Sequence, residues 1–134
     1  MSDKTAVLFA NEAFYAAFAG RDMPAMESVW WRGENITCIH PGWPPLFGRE
    51  HVMGSWQAIL GGEDSPDIQC RNAVPHIFDT TAYVICYEAL GDGALLASNV
   101  FILDDGRWHM VHHQGGTSAP MVPDTTNEGP SFIQ

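Results

Sequence analysis

The chain has 134 residues, 46% of them hydrophobic, with six Lys+Arg against sixteen Asp+Glu and a formal charge of −10. That length and apolar content suit one domain with its own core, and the acidic balance disfavours phosphate backbones and anionic membrane surfaces as partners. No stretch approaches the roughly 18 apolar residues of a membrane span, and no basic segment leads into an apolar run at the start, so neither a signal peptide nor a membrane anchor is expected. Cys38, Cys70 and Cys86 are odd in number and include no C-x-x-C pair. They are read as reduced core thiols of a cytoplasmic protein.

Residues 5–19 are expected to form a helix, because Val7, Ala10, Phe14 and Phe18 recur at spacings of three and four while Lys4, Asn11 and Glu12 fall elsewhere. A short helix over 23–30 follows Asp22 as N-cap, with Pro24 in its first turn. N-I-T-C-I-H (35–40) predicts a strand, and P-G-W-P-P (41–45) forbids regular structure. A third helix over 49–60 carries Val52, Trp56, Ile59 and Leu60 on one stripe and stops at Gly61-Gly62. Segments 67–78, 82–90, 94–103 and 107–114 then predict four strands joined by tight turns, hence an antiparallel meander. The Pro-, Ser- and Thr-rich residues 117–134 are read as a tail behind a single domain of residues 1–116. Helices first and a long antiparallel sheet after them make an α+β domain.

The stretch W-H-M-V-H-H-Q (108–114) raises the question of a metal site. On a strand rising about 3.3 Å per residue, His109 and His113 share a face but lie roughly 13 Å apart, and His112 points the other way. Zinc ligands sit about 2 Å from the ion, so the cluster cannot chelate locally, and no metal is expected. Strict alternation puts Trp108, Met110, His112 and Gln114 on one face. The larger apolar members of that set assign it to the interior and leave His109 and His113 outside.

On 82–90, Ala82, Val84, Cys86 and Glu88 share a face, and on 94–103 Ala97, Asn99, Phe101 and Leu103 do. If both point inward, Glu88, Asn99 and His112 meet across neighbouring strands, a carboxylate beside an imidazole being a familiar acid–base arrangement. The plainer alternatives are a core histidine and a solvated Glu88. His40, held extended before Pro41, is a second acid/base candidate facing His112, or a histidine that packs locally. Trp43 in the Pro-rich loop is a candidate pocket rim, and Trp56 a core residue. Nucleotide-loop, hydrolase-elbow and zincin motifs do not occur, and no cofactor is expected.

The patterns W-x7-C-I-H-P-G-W (30–43), G-R-E-x-V-x-x-S-W-x-x-I (48–59), S-N-V-F (98–101) and D-G-R-W-H-M-V-H-H-Q (105–114) resemble the SnoaL-like branch of the NTF2-like superfamily over residues 5–116. The resemblance implies an NTF2-like cone, a curved antiparallel sheet wrapped around three N-terminal helices, with a small-molecule pocket at its wide end and a homodimer through the outer sheet face. It further implies cofactor-free acid/base chemistry of isomerase, dehydratase, cyclase or hydrolase type on a small apolar or aromatic substrate. His112, His40 and Glu88 would then be the catalytic set, and Asn99, Trp43, Phe101 and Trp30 the substrate contacts. The alternative is a non-catalytic ligand-binding or dimeric interaction module. No Asp matches a catalytic Asp of active relatives, and Q-G-G (114–116) stands where H-A-S is commoner.

Overall fold

A computed structural model of the chain describes residues 2–119. Three helices come first: α1 (Asp3–Ala19), α2 (Met23–Val29) and, after strands β1 (Thr37–Ile39) and β2 (Leu46–Phe47), α3 (Arg49–Gly61). Strands β3 (Gln69–Phe78), β4 (Thr81–Leu90), β5 (Gly93–Asp104) and β6 (Arg107–Thr117) follow. Helix starts obey local chemistry. Ser2 caps α1 by accepting from the Thr5 amide at 3.1 Å, and Asp22 caps α2 by accepting from the Ala25 amide at 3.1 Å. Asp22 is thereby spent as a cap. The turn between β5 and β6 places both Asp105 and Gly106 at positive φ, as a two-residue hairpin loop requires. From residue 120 onward the expected tail lies outside the described residues, and β6 takes in Thr117, its first residue.

The six strands form one sheet in the order β2-β1-β6-β5-β4-β3. β3 to β6 are the expected antiparallel meander; β1 lies parallel to β6, pairing Thr37 with His112 and Cys38 with His113. The two-residue β2 was not foreseen. The core fills the space between helices and sheet with Phe14, Phe18, Met26, Trp30, Trp56, Val84, Phe101 and Met110, all buried. Phe14, Phe18 and Trp56 meet edge to face at centroid distances of 4.9 to 6.2 Å.

One irregularity decides the site. On β6, His112 pairs with Val100 but Met110 pairs with Phe101, so Val111 is an extra residue, a β-bulge. Alternation therefore changes phase at Val111. Met110 faces the core before it, and His113 and Gly115 face the core after it, while His112 and Gln114 turn to the other face. The expectation of His112 inside and His113 outside is corrected: His113 is 1% exposed, and His112 is half-buried with its Nδ1 2.5 Å from the Thr37 hydroxyl. On β4 and β5 no bulge intervenes, and Cys86, Glu88, Ala97, Asn99 and Phe101 are all buried; Leu103, near the strand end, is exposed.

Candidate functional site

The inner faces of α1, β4, β5 and β6 bring five polar side chains into the apolar interior. Asn11 and Tyr15 are one turn apart on α1, Glu88 comes from β4, Asn99 from β5 and His113 from β6. Buried polar groups cost free energy unless they satisfy one another, and these do. Asn99 Nδ2 donates to Asn11 Oδ1 at 2.9 Å and to the Tyr15 hydroxyl at 3.1 Å. The Tyr15 hydroxyl donates to Glu88 Oε2 at 2.7 Å. With its amide hydrogens used, Asn99 offers Oδ1, and His113 Nδ1–H donates to it at 2.6 Å. That bond fixes the tautomer: Nε2 keeps its lone pair and stands 3.7 Å from Glu88 Oε2. The hydrogen bonds run as a chain from His113 through Asn99 and Tyr15 to Glu88, and its two ends face each other at 3.7 Å.

Its electrostatics follow from burial. Loss of water pushes His113 down to about 3, helped by the nearby His40 and His112. Burial raises Glu88, only partly opposed by the Tyr15 hydrogen bond, and keeps Tyr15 firmly a phenol. Both shifts run toward the uncharged form of the group concerned. Gly115 makes room for the Glu88 carboxyl: a Cβ there would stand 3.1 Å from Glu88 Oε1 and 3.6 Å from Pro41 Cγ.

His40 directly follows β1, the strand beside β6. The Ser55 hydroxyl donates to the Val52 carbonyl at 2.7 Å, so His40 Nε2–H donates to Ser55 Oγ at 2.9 Å. Burial lowers His40 to about 4. Its ring lies 4.8 Å from both Trp43 and Trp56, and Trp56 is also 6.0 Å from His113. Trp56 thus packs near both imidazoles.

A cavity of about 440 Å³ opens onto these groups, lined by His40, Glu88 and His113 together with apolar side chains that include Phe18, Trp43 and Ile59. A second hollow of about 430 Å³, between α1, α2 and the β5–β6 turn, has no carboxylate, imidazole or thiol in its lining. Of the expected site residues, the structure therefore brings His40, Glu88 and Trp43 to one cavity. Asn99 is near but does not line it; its polar atoms position His113 instead of meeting a ligand. Trp30 and Phe101 are core residues, and His112 lies outside. Tyr15, Asn11, Ser55 and His113 were missed. Asn11 and Tyr15 do carry a signal, a polar pair at helical spacing beside the apolar stripe of α1. Among the described residues, no group of three or more His, Cys, Asp or Glu could hold a metal ion.

A six-stranded sheet curved over three helices, with a polar cluster at one end of the interior, is the NTF2-like architecture, and the SnoaL-like domain model matches residues 7–121. The chain belongs to the SnoaL-like family. The chain is 32% identical over 121 residues to the F-box protein SKIP8 of Arabidopsis thaliana, covering 89% of this chain and 52% of that protein, so it spans about half that relative's length. Among solved structures it is similar to a proposed dehydratase of the NTF2-like family from Streptomyces avermitilis (TM-score 0.79, 26% identity, 87% of this chain and 96% of that one). It is also similar to a proposed calcium/calmodulin-dependent protein kinase type II association domain from Thiobacillus denitrificans (TM-score 0.71, 32% identity, 82% and 93%). The SnoaL-like fold is one that accommodates small molecules. No described helix is long and apolar enough to cross a membrane.

Proposed function

We propose that this SnoaL-like domain binds a small, largely apolar or aromatic molecule in the 440 Å³ cavity and performs cofactor-free proton transfer on it. The observation that carries this reading is the pair of His113 Nε2 and Glu88 Oε2, 3.7 Å apart on the cavity wall. Burial keeps the His113 lone pair free and pushes the Glu88 carboxyl up, so the pair offers a proton acceptor beside a group able to take up or release a proton. Tyr15 and Asn99 hold both in place, and His40 is a second imidazole in the cavity lining, packed on Trp56. Isomerisation, dehydration, cyclisation and hydrolysis all need such a pair, and the likeness to a proposed dehydratase favours that group. We assign the catalytic roles to His113 and Glu88 and the rim to Trp43. The half-buried Tyr83, Ile85, Tyr87, Val100 and Ile102 on the outer sheet face support a homodimer there, and three free thiols fit a cytoplasmic setting.

A second reading is a non-catalytic interaction module. It draws on the two relatives whose names are those of an F-box protein and of a kinase association domain. The experiment that separates them is a screen of small carbonyl and hydroxy compounds for turnover by the chain and by His113→Asn. Turnover lost in the variant supports catalysis. Equal turnover in both sinks the role of His113, and no turnover with a stable oligomer favours the module.

A further inference from the structure

The cavity wall is built without a cation. The chain has six basic residues, Lys4, Arg21, Arg32, Arg49, Arg71 and Arg107, and none lines this cavity. Arg49 is engaged by the carbonyls of Glu27 and Trp31, and Arg71 by Gln69 Oε1. Arg21 touches the rim only through the Glu63 carbonyl, at 3.3 Å. Glu88 is nonetheless 1% exposed, and among the described residues the one group within ion-pairing distance is His113, which is neutral. A buried carboxylate without a counter-charge is costly, and a cation delivered by a ligand removes that cost. The rim adds Glu63 and Asp64, both exposed, and the whole chain is at −10. A cleft of one sign with apolar walls focuses its field and draws in ligands of the opposite sign. Phe18 and Trp43 supply aromatic surface that an apolar body and an ammonium both favour.

We propose that the cavity selects ligands bearing a protonated amine on an apolar or aromatic body, with the ammonium seated against the Glu88 carboxylate. This rests on the reading of the cavity as a ligand site. In the complex the ammonium sits against the Glu88 carboxylate, and His113 remains the base. Anionic ligands meet only carboxylates and neutral imidazoles and are excluded.

The test uses three probes of one size on the full chain at pH 7.5: benzylamine, benzyl alcohol and benzoate, titrated by calorimetry. Benzylamine is expected to bind about tenfold more tightly than the alcohol, the scale of one charge-assisted contact, with benzoate undetectable. A buried pair keeps that ratio in 0.5 M NaCl, whereas attraction to the exposed rim alone would lose it. Glu88→Gln should abolish the preference, bringing benzylamine to the level at which the same variant binds the alcohol. An alcohol that binds as well as the amine, bound benzoate, or a ratio lost in salt overturns the charge selection while leaving a ligand cavity. If none of the three binds at millimolar concentration, the ligand cavity falls as well.

Discussion

Acid should unfold this domain through His113, and by a calculable amount. The imidazole has an ordinary value of 6.5 and is held down to about 3 in the fold. Between those limits the unfolded chain binds the proton and the folded one does not, so stability rises with pH across the window and is lost as pH falls through it. At pH 4 the difference in proton binding costs about 3 kcal/mol for this one group, at about 1.4 kcal/mol per pH unit of separation. That is a large part of the 5–15 kcal/mol typical of a domain. His40, lowered to about 4, adds to the same slope. Glu88 acts oppositely, because its raised value makes the fold take up a proton first, so its contribution falls as pH rises. His112, also lowered, and Tyr15, which stays protonated, complete the titratable groups around the pair.

The assay is urea unfolding from pH 7 to 4 for the chain and for His113→Asn, whose amide can still donate to Asn99 Oδ1. The variant loses ring packing against Phe14, 4.9 Å away, and is less stable at every pH. The informative quantity is the slope. The parent should lose about 3 kcal/mol more than the variant between pH 7 and 4. Parallel curves would show that His113 is not held neutral by burial and would refute the electrostatic account of the site.

Other expectations follow from single contacts. His112→Ala removes only the bond to Thr37 on the outer side, so it should cost about 1 kcal/mol in urea unfolding and leave benzylamine binding intact; loss of binding would return His112 to the cavity. Tyr15→Phe strips Glu88 of its 2.7 Å donor and Asn99 of an acceptor, and should destabilise by about 1–3 kcal/mol with an unchanged circular dichroism spectrum. Gly115→Ala places a methyl 3.1 Å from Glu88 Oε1, so amine binding should weaken severalfold while the melting temperature falls little; unchanged binding would mean that the carboxyl has room to spare.

The sequence carried the elements because each has local punctuation: Asp22 before α2, Gly61-Gly62 at the end of α3, Asp105-Gly106 between β5 and β6. It carried the inward faces of β4 and β5 because alternation there is uninterrupted, which is why Glu88 and Asn99 could be named. It could not carry the inward face of β6 beyond Val111. A bulge outside a turn leaves no residue signature in W-H-M-V-H-H-Q, and one extra residue exchanges the two faces of everything after it. Nor could it show β1 lying parallel to β6, a pairing between segments some 75 positions apart.

The same bulge explains why two adjacent histidines have unlike fates. With Val111 inserted, Met110 closes the core beneath Trp30 and the strand is still in phase to present His113 to Asn99 and Gly115 to Glu88. Without the phase change, His112 and Gln114 would occupy those two places. The side chain of Gln114 would fill the space that Gly115 leaves for the Glu88 carboxyl. The Q-G-G of residues 114–116 is therefore part of the site's construction. Its first glycine is what lets a carboxyl and an imidazole share one buried corner.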